Sequence, residues 1–152
     1  MFFYCAFCEL FYSPDLSVDL GSYVHSVKGS YPGVTKVTRS LLLDSDTQIK
    51  VYFTVDNSFS APASVNVNGV STKLNKETDG IYSVVIPSIA AHNLGAAYPI
   101  TMGSMSISTS AMAYARDAIA SAGVKQSMKE AVAALYRYYS CALAYQSAHS
   151  AN

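Results

Sequence analysis

The chain has 152 residues, of which 51% are hydrophobic and 13% charged, with ten Lys and Arg balancing ten Asp and Glu. Such a composition is incompatible with disorder over most of the chain. A net charge of zero argues against a nucleic-acid binder and against polybasic attachment to anionic lipid, since both need a basic face.

The first twelve residues, Met1 to Tyr12, are apolar and aromatic. They lack a basic leading region and a small-residue cleavage site and contain Glu9, so they do not spell an export signal, and they are too short to span a bilayer. The expectation is a piece of a longer reading frame. From Ser13 to Thr38 the pattern is weak, with Pro32-Gly33 marking a turn and a short helix or strand near Tyr23 to Val27. Residues 1–39 therefore stand as an ill-defined N-terminal segment or linker.

A β-domain is expected over residues 40–109. Ile49, Val51, Phe53 and Val55 alternate with polar positions, the period of a half-buried strand, and Leu41 to Leu43 supplies the preceding strand across Asp44-Ser45-Asp46. Val65 and Val67 lead into Asn68-Gly69 and then Val70, Thr72 and Leu74. Asn-Gly between alternating apolar residues predicts a two-residue hairpin, because both turn positions need positive φ. Asp79-Gly80 opens a strand from Ile81 to Ile86, and Tyr98–Met102 pairs with Met105–Thr109 across Gly103-Ser104. Pro99 points to an edge or a bulge. Six or seven short strands at this spacing predict a small antiparallel β-sandwich of the immunoglobulin-like kind.

At Ser110 the period becomes helical, giving an α+β chain that ends in an antiparallel helical hairpin over residues 110–147, packed on the β-domain. Ser110 is the expected N-cap and Gly123 the expected left-handed stop. Ser127 and Glu130 have the spacing of a capping box. Met128, Val132, Leu135, Tyr136, Tyr139, Ala142 and Leu143 form the broad apolar face of the second helix, with Ala133 on the narrow opposite side. Leu135 sits at the centre of that face, so its truncation to Ala is expected to cost about 2–5 kcal/mol.

Three stretches carry a resemblance to a known module: Ser40 to Phe53, Ile81 to Leu94, and Ser110–Arg116 taken with Val132–Tyr138. Residues 40–146 resemble an immunoglobulin-like sandwich with a C-terminal helical pair, found in large secreted or cell-surface proteins of gut Gram-positive bacteria. This chain departs from that pattern at Tyr139, Ser140 and Gln146. The resemblance implies a surface or secreted location as part of a larger protein, and it brings no catalytic residues with it.

No chemistry-bearing motif emerges. Cys5 and Cys8 have the spacing of a redox or half-zinc motif without the flanking strand and helix or the second ligand pair, and Cys141 makes the count odd. His25, His92 and His149 are isolated. Asp44-Ser45-Asp46 offers too few oxygens for calcium and suits a turn. No nucleophile elbow or phosphate loop occurs, so the reading is a protein that is not an enzyme and takes no cofactor or metal. Twelve tyrosines leave one ligand-binding option, sugar stacking by Tyr52, Tyr82 and Tyr98. The leading expectation is a non-catalytic structural or interaction module. Its partners would be neighbouring domains of its own polypeptide or another surface protein, without nucleic acid or direct membrane insertion. A carbohydrate-binding accessory module that uses exposed tyrosines, with a glycan as partner, is the alternative.

Overall fold

The computed structural model describes residues 16–150. Nine strands form two antiparallel sheets, followed by two helices. The strands are β1 (Ser26–Lys28), β2 (Val34–Leu43), β3 (Thr47–Val55), β4 (Val65–Val67), β5 (Val70–Thr72), β6 (Asn75–Thr78), β7 (Ile81–Ile86), β8 (Tyr98–Met102) and β9 (Met105–Thr109). A 3-10 turn at Ala91–Asn93 lies between β7 and β8; α1 is Ala111–Ala120 and α2 is Gln126–His149.

One sheet has the order β2-β3-β7-β6 and the other β1-β9-β8-β4-β5. With β2 to β9 taken as strands A, B, C, C′, D, E, F and G, these are the ABED and GFCC′ sheets of an immunoglobulin-type sandwich. β1 is an added strand, antiparallel to β9. The strands begin earlier than a β-domain starting at Ser40: β1 and the first six residues of β2 precede that position, and Leu20 is already buried.

The period-2 pattern of β3 fixes the core. Ile49, Val51 and Phe53 are fully buried and face Ile86, Val84 and Tyr82 across the β3–β7 ladder. The opposing sheet contributes Ile100, Met102, Met105 and Ile107. Each such side chain contributes about 1.5–3 kcal/mol of burial. Asn68 and Gly69 both take positive φ, 50° and 87°, closing the β4–β5 hairpin as its sequence requires. Pro99, expected on an edge or at a bulge, lies in β8 between β9 and β4. Its carbonyl accepts from the Asn68 N–H at 2.7 Å. The donor that proline lacks falls where the β4–β5 turn ends the ladder, so the strand loses little.

Ser110 caps α1, its side chain accepting from the Ala113 N–H at 2.9 Å. α1 then ends at Ala120 with an extended Ser121, and Gly123 is not among the residues with positive φ. The capping box is also not formed. α2 starts at Gln126 with Lys125 as N-cap and without a side-chain cap, so Ser127 already lies inside the helix. Val124, half-buried against the core, sets where the chain turns back. Ala133, placed on the narrow opposite side by periodicity, is fully buried, as is Ala113 on α1, because each helix is enclosed on more than one side. α1 packs on β2 and α2 packs on α1 and the 3-10 turn, so the hairpin closes the β2/β9 flank of the sandwich.

Candidate functional site

The β2–β3 register pairs Arg39 with Val51, which turns Arg39 inward with the core residues. Its side chain is 7% exposed. The guanidinium donates to Thr109 Oγ1 at 3.3 Å and to the Ala113 carbonyl at 3.2 Å, and it pairs closely with the Asp117 carboxylate. Asp117 also receives Arg116 on its other oxygen, at 3.0 and 2.7 Å. Burial pushes the Arg39 guanidinium down from its ordinary value, and Asp117 opposes that. One side chain thus joins strand A, strand G and the first helix.

Beside this group, His25 precedes β1 with its Nδ1 buried and without a hydrogen-bond partner. Burial lowers its pKa, Arg39 adds to the effect, and Asp117 and the Ser108 backbone oppose it. A neutral imidazole follows at neutral pH. His25, Arg39, Tyr114 and Asp117, with Val37 and Val124, line a cavity of about 310 Å³. Neither Arg39 nor Asp117 carries a motif in the sequence. The signal was only that a cationic residue occupies an inward parity position of a strand whose register could not be read.

The tyrosines singled out for stacking are not brought together. Tyr52 lies on the outer face of β3, with Lys50 Nζ 5.3 Å from its ring centre and its hydroxyl 3.4 Å from Ser40 Oγ. Tyr82 is on the inner face of the same sheet, opposite Phe53 and 5.0 Å from the Phe59 ring. Tyr98 belongs to the other sheet, opposite the buried Thr109, and burial raises its pKa. Next to Tyr52, Lys50 pairs with Glu77 at 2.9 Å. Glu77 also accepts from Ser83 Oγ at 2.6 Å, the leading cause of its lowered pKa.

Asp46 acts as a turn acceptor. Its Oδ2 takes the Ser88 N–H at 3.0 Å and the Ser88 hydroxyl at 2.8 Å, and its Oδ1 takes the Gln48 amide at 2.7 Å. The Ser88 hydroxyl is the main cause of a lowered Asp46 pKa. Those bonds hold Ser88 at φ 54°, a conformation costly for a residue with a Cβ. Among the described residues no group of three His, Cys, Asp or Glu gathers that could hold a metal ion. His92 and His149 stand far apart in sequence from His25, one in the 3-10 turn and the other at the end of α2. Cys5 and Cys8 lie outside the described residues, and Cys141 is a free, half-buried thiol on α2. Among the described residues no helix is long and apolar enough to cross a membrane.

The comparisons are silent. No family model matches the chain, and no curated protein or solved structure is found similar to it.

Proposed function

We propose that the chain is a non-catalytic structural and interaction module of a larger secreted or cell-surface polypeptide. Its partners in this reading are the neighbouring domains of that polypeptide or another surface protein. One observation carries it: Arg39, 7% exposed, directs its guanidinium to Thr109, Ala113 and Asp117. The densest charged group of the described residues therefore fastens the hairpin to the sandwich. A reacting group would instead need acid, base and nucleophile converging on open space. An immunoglobulin-type sandwich closed on one flank suits a rigid spacer that displays its remaining surfaces.

Arg39→Met tests the fastening, since it keeps the length of the stem and removes the charge. The expected result is a lower melting temperature and faster amide exchange across Ala111–Ala120. A variant that keeps both unchanged would overturn the role. Placement is tested by brief proteolysis of intact cells that make the native protein. Peptides of this chain should be released without lysis, and recovery only after lysis would refute a surface location.

A further inference from the structure

The β4–β5 hairpin carries a reactive dipeptide at its tip. Asn68-Gly69 is the only place in the chain where glycine follows asparagine. An asparagine loses its amide when the backbone nitrogen of the next residue attacks its side-chain carbonyl. A side chain on that next residue crowds the approach, and glycine has none. The tip is open as well: Asn68, Gly69 and Val70 are exposed, and beyond its chain neighbours no heavy atom lies within 4 Å of where a Gly69 Cβ would stand. Both strands of the hairpin are three residues long, and β5 is the edge of its sheet, paired with β4 alone. Such an element opens more readily than the core strands.

The same tip restrains this chemistry. The Gly69 N–H, whose nitrogen would attack, donates to Asn66 Oδ1 at 2.8 Å. The cross-strand ladder pairs Val67 with Val70 and leaves the turn residues out, so this side chain binds an N–H that the sheet does not use. While the bond lasts, the nitrogen keeps its proton and the peptide plane is pinned. The Asn68 N–H donates in turn to the Pro99 carbonyl at 2.7 Å, which ties the preceding plane. Reaction needs the two atoms about 3–3.5 Å apart and aligned, and bonds on two consecutive N–H groups oppose the rotation that would bring them there. Asn57-Ser58, where asparagine also precedes a small residue, is held in the same manner, its Ser58 N–H donating to Asp56 Oδ1 at 2.8 Å.

We propose that Asn68 is a site of spontaneous deamidation, and that Asn66 sets its rate in the folded chain by holding the Gly69 N–H. In the reaction the Gly69 nitrogen bonds to Asn68 Cγ, the Cγ–Nδ2 bond breaks, and ammonia leaves with the proton from the Gly69 N–H. Water then opens the cyclic imide at either carbonyl, giving aspartate or isoaspartate at position 68. Either product adds one negative charge to a chain whose formal net charge is zero. Isoaspartate also routes the main chain through the side-chain carbon, which lengthens a turn of two residues and works against the hairpin register. Because the folded tip is held, the rate follows the population of its open form.

The test is incubation of the full chain at neutral pH, followed by peptide mass spectrometry that separates the two products. Position 68 should deamidate before any other asparagine, and severalfold faster in urea than in the folded chain. Folded Asn66→Ala should lose ammonia at position 68 severalfold faster than the unsubstituted chain. Asn66→Asp, which keeps an oxygen at the same place, should stay close to the unsubstituted rate. Position 66 is exposed, so both substitutions leave the core intact, and in urea all three chains should react alike. Amide exchange separates the loss of this one bond from a general loosening: in Asn66→Ala the Gly69 N–H should exchange faster, and those of residues 70–72 should not. Equal folded rates for Asn66→Ala and the unsubstituted chain overturn the proposal. So does earlier loss at another asparagine, or faster exchange across residues 70–72, which would assign the effect to the hairpin as a whole.

Discussion

Arg39 occupies an inward position of β2, where a charge is tolerated only if paired and hydrogen-bonded. It is satisfied by Thr109, Ala113 and Asp117, and burial, with Arg39 adding to it, keeps His25 neutral. The folded His25 pKa lies below the ordinary value of 6.5, so as pH falls the unfolded chain takes up the proton first. Stability is therefore full above about pH 6.5 and declines as pH falls below it. Urea unfolding at pH 7.5, 6.5 and 5.5 should show that decline, and His25→Gln should flatten it. Gly95 makes a second residue-scale case. A Cβ there would stand 2.4 Å from the Tyr139 hydroxyl and 2.7 Å from the Tyr23 ring. Gly95→Ala is expected to cost about 1–3 kcal/mol by overpacking, measured by denaturant unfolding. Tyr139→Phe should recover part of the loss by removing the nearest atom.

Among the elements, those set by local chemistry follow the sequence closely. Asn68-Gly69 and Ser110 act within a few residues of themselves, so neighbours elsewhere in the fold barely affect them. α2 differs, because its burial depends on what it meets. Leu135, the centre of the apolar arc by periodicity, is only half-buried, whereas Val132 and Tyr139 are buried. Leu94, in the connection after the 3-10 turn, is fully buried, and its carbonyl accepts from the Met112 N–H at 3.0 Å. Leu94→Ala should therefore cost about 2–5 kcal/mol, and Leu135→Ala clearly less. Equal losses in thermal or urea unfolding would place the hairpin's main anchor at Leu135 after all.

At the scale of the whole molecule, the hairpin and the sandwich share one core: Met112, Ala115 and Val132 belong to the same buried cluster as Val51 and Ile100. Helix-sensitive and tyrosine-sensitive signals should therefore unfold at the same midpoint. Two separated midpoints would show that the hairpin is an independent appendage. The sequence by itself determined the strand alternation, the hairpin turns, the N-cap of α1 and the order of sandwich before helices, since each depends on contacts a few residues apart or on a simple period. Only the tertiary structure decided the strand order, the inward turn of Arg39, its pairing with Asp117 and the separation of Tyr52, Tyr82 and Tyr98. Those depend on register and on residues brought together from distant parts of the chain, and a one-residue change of register exchanges the two faces of a strand.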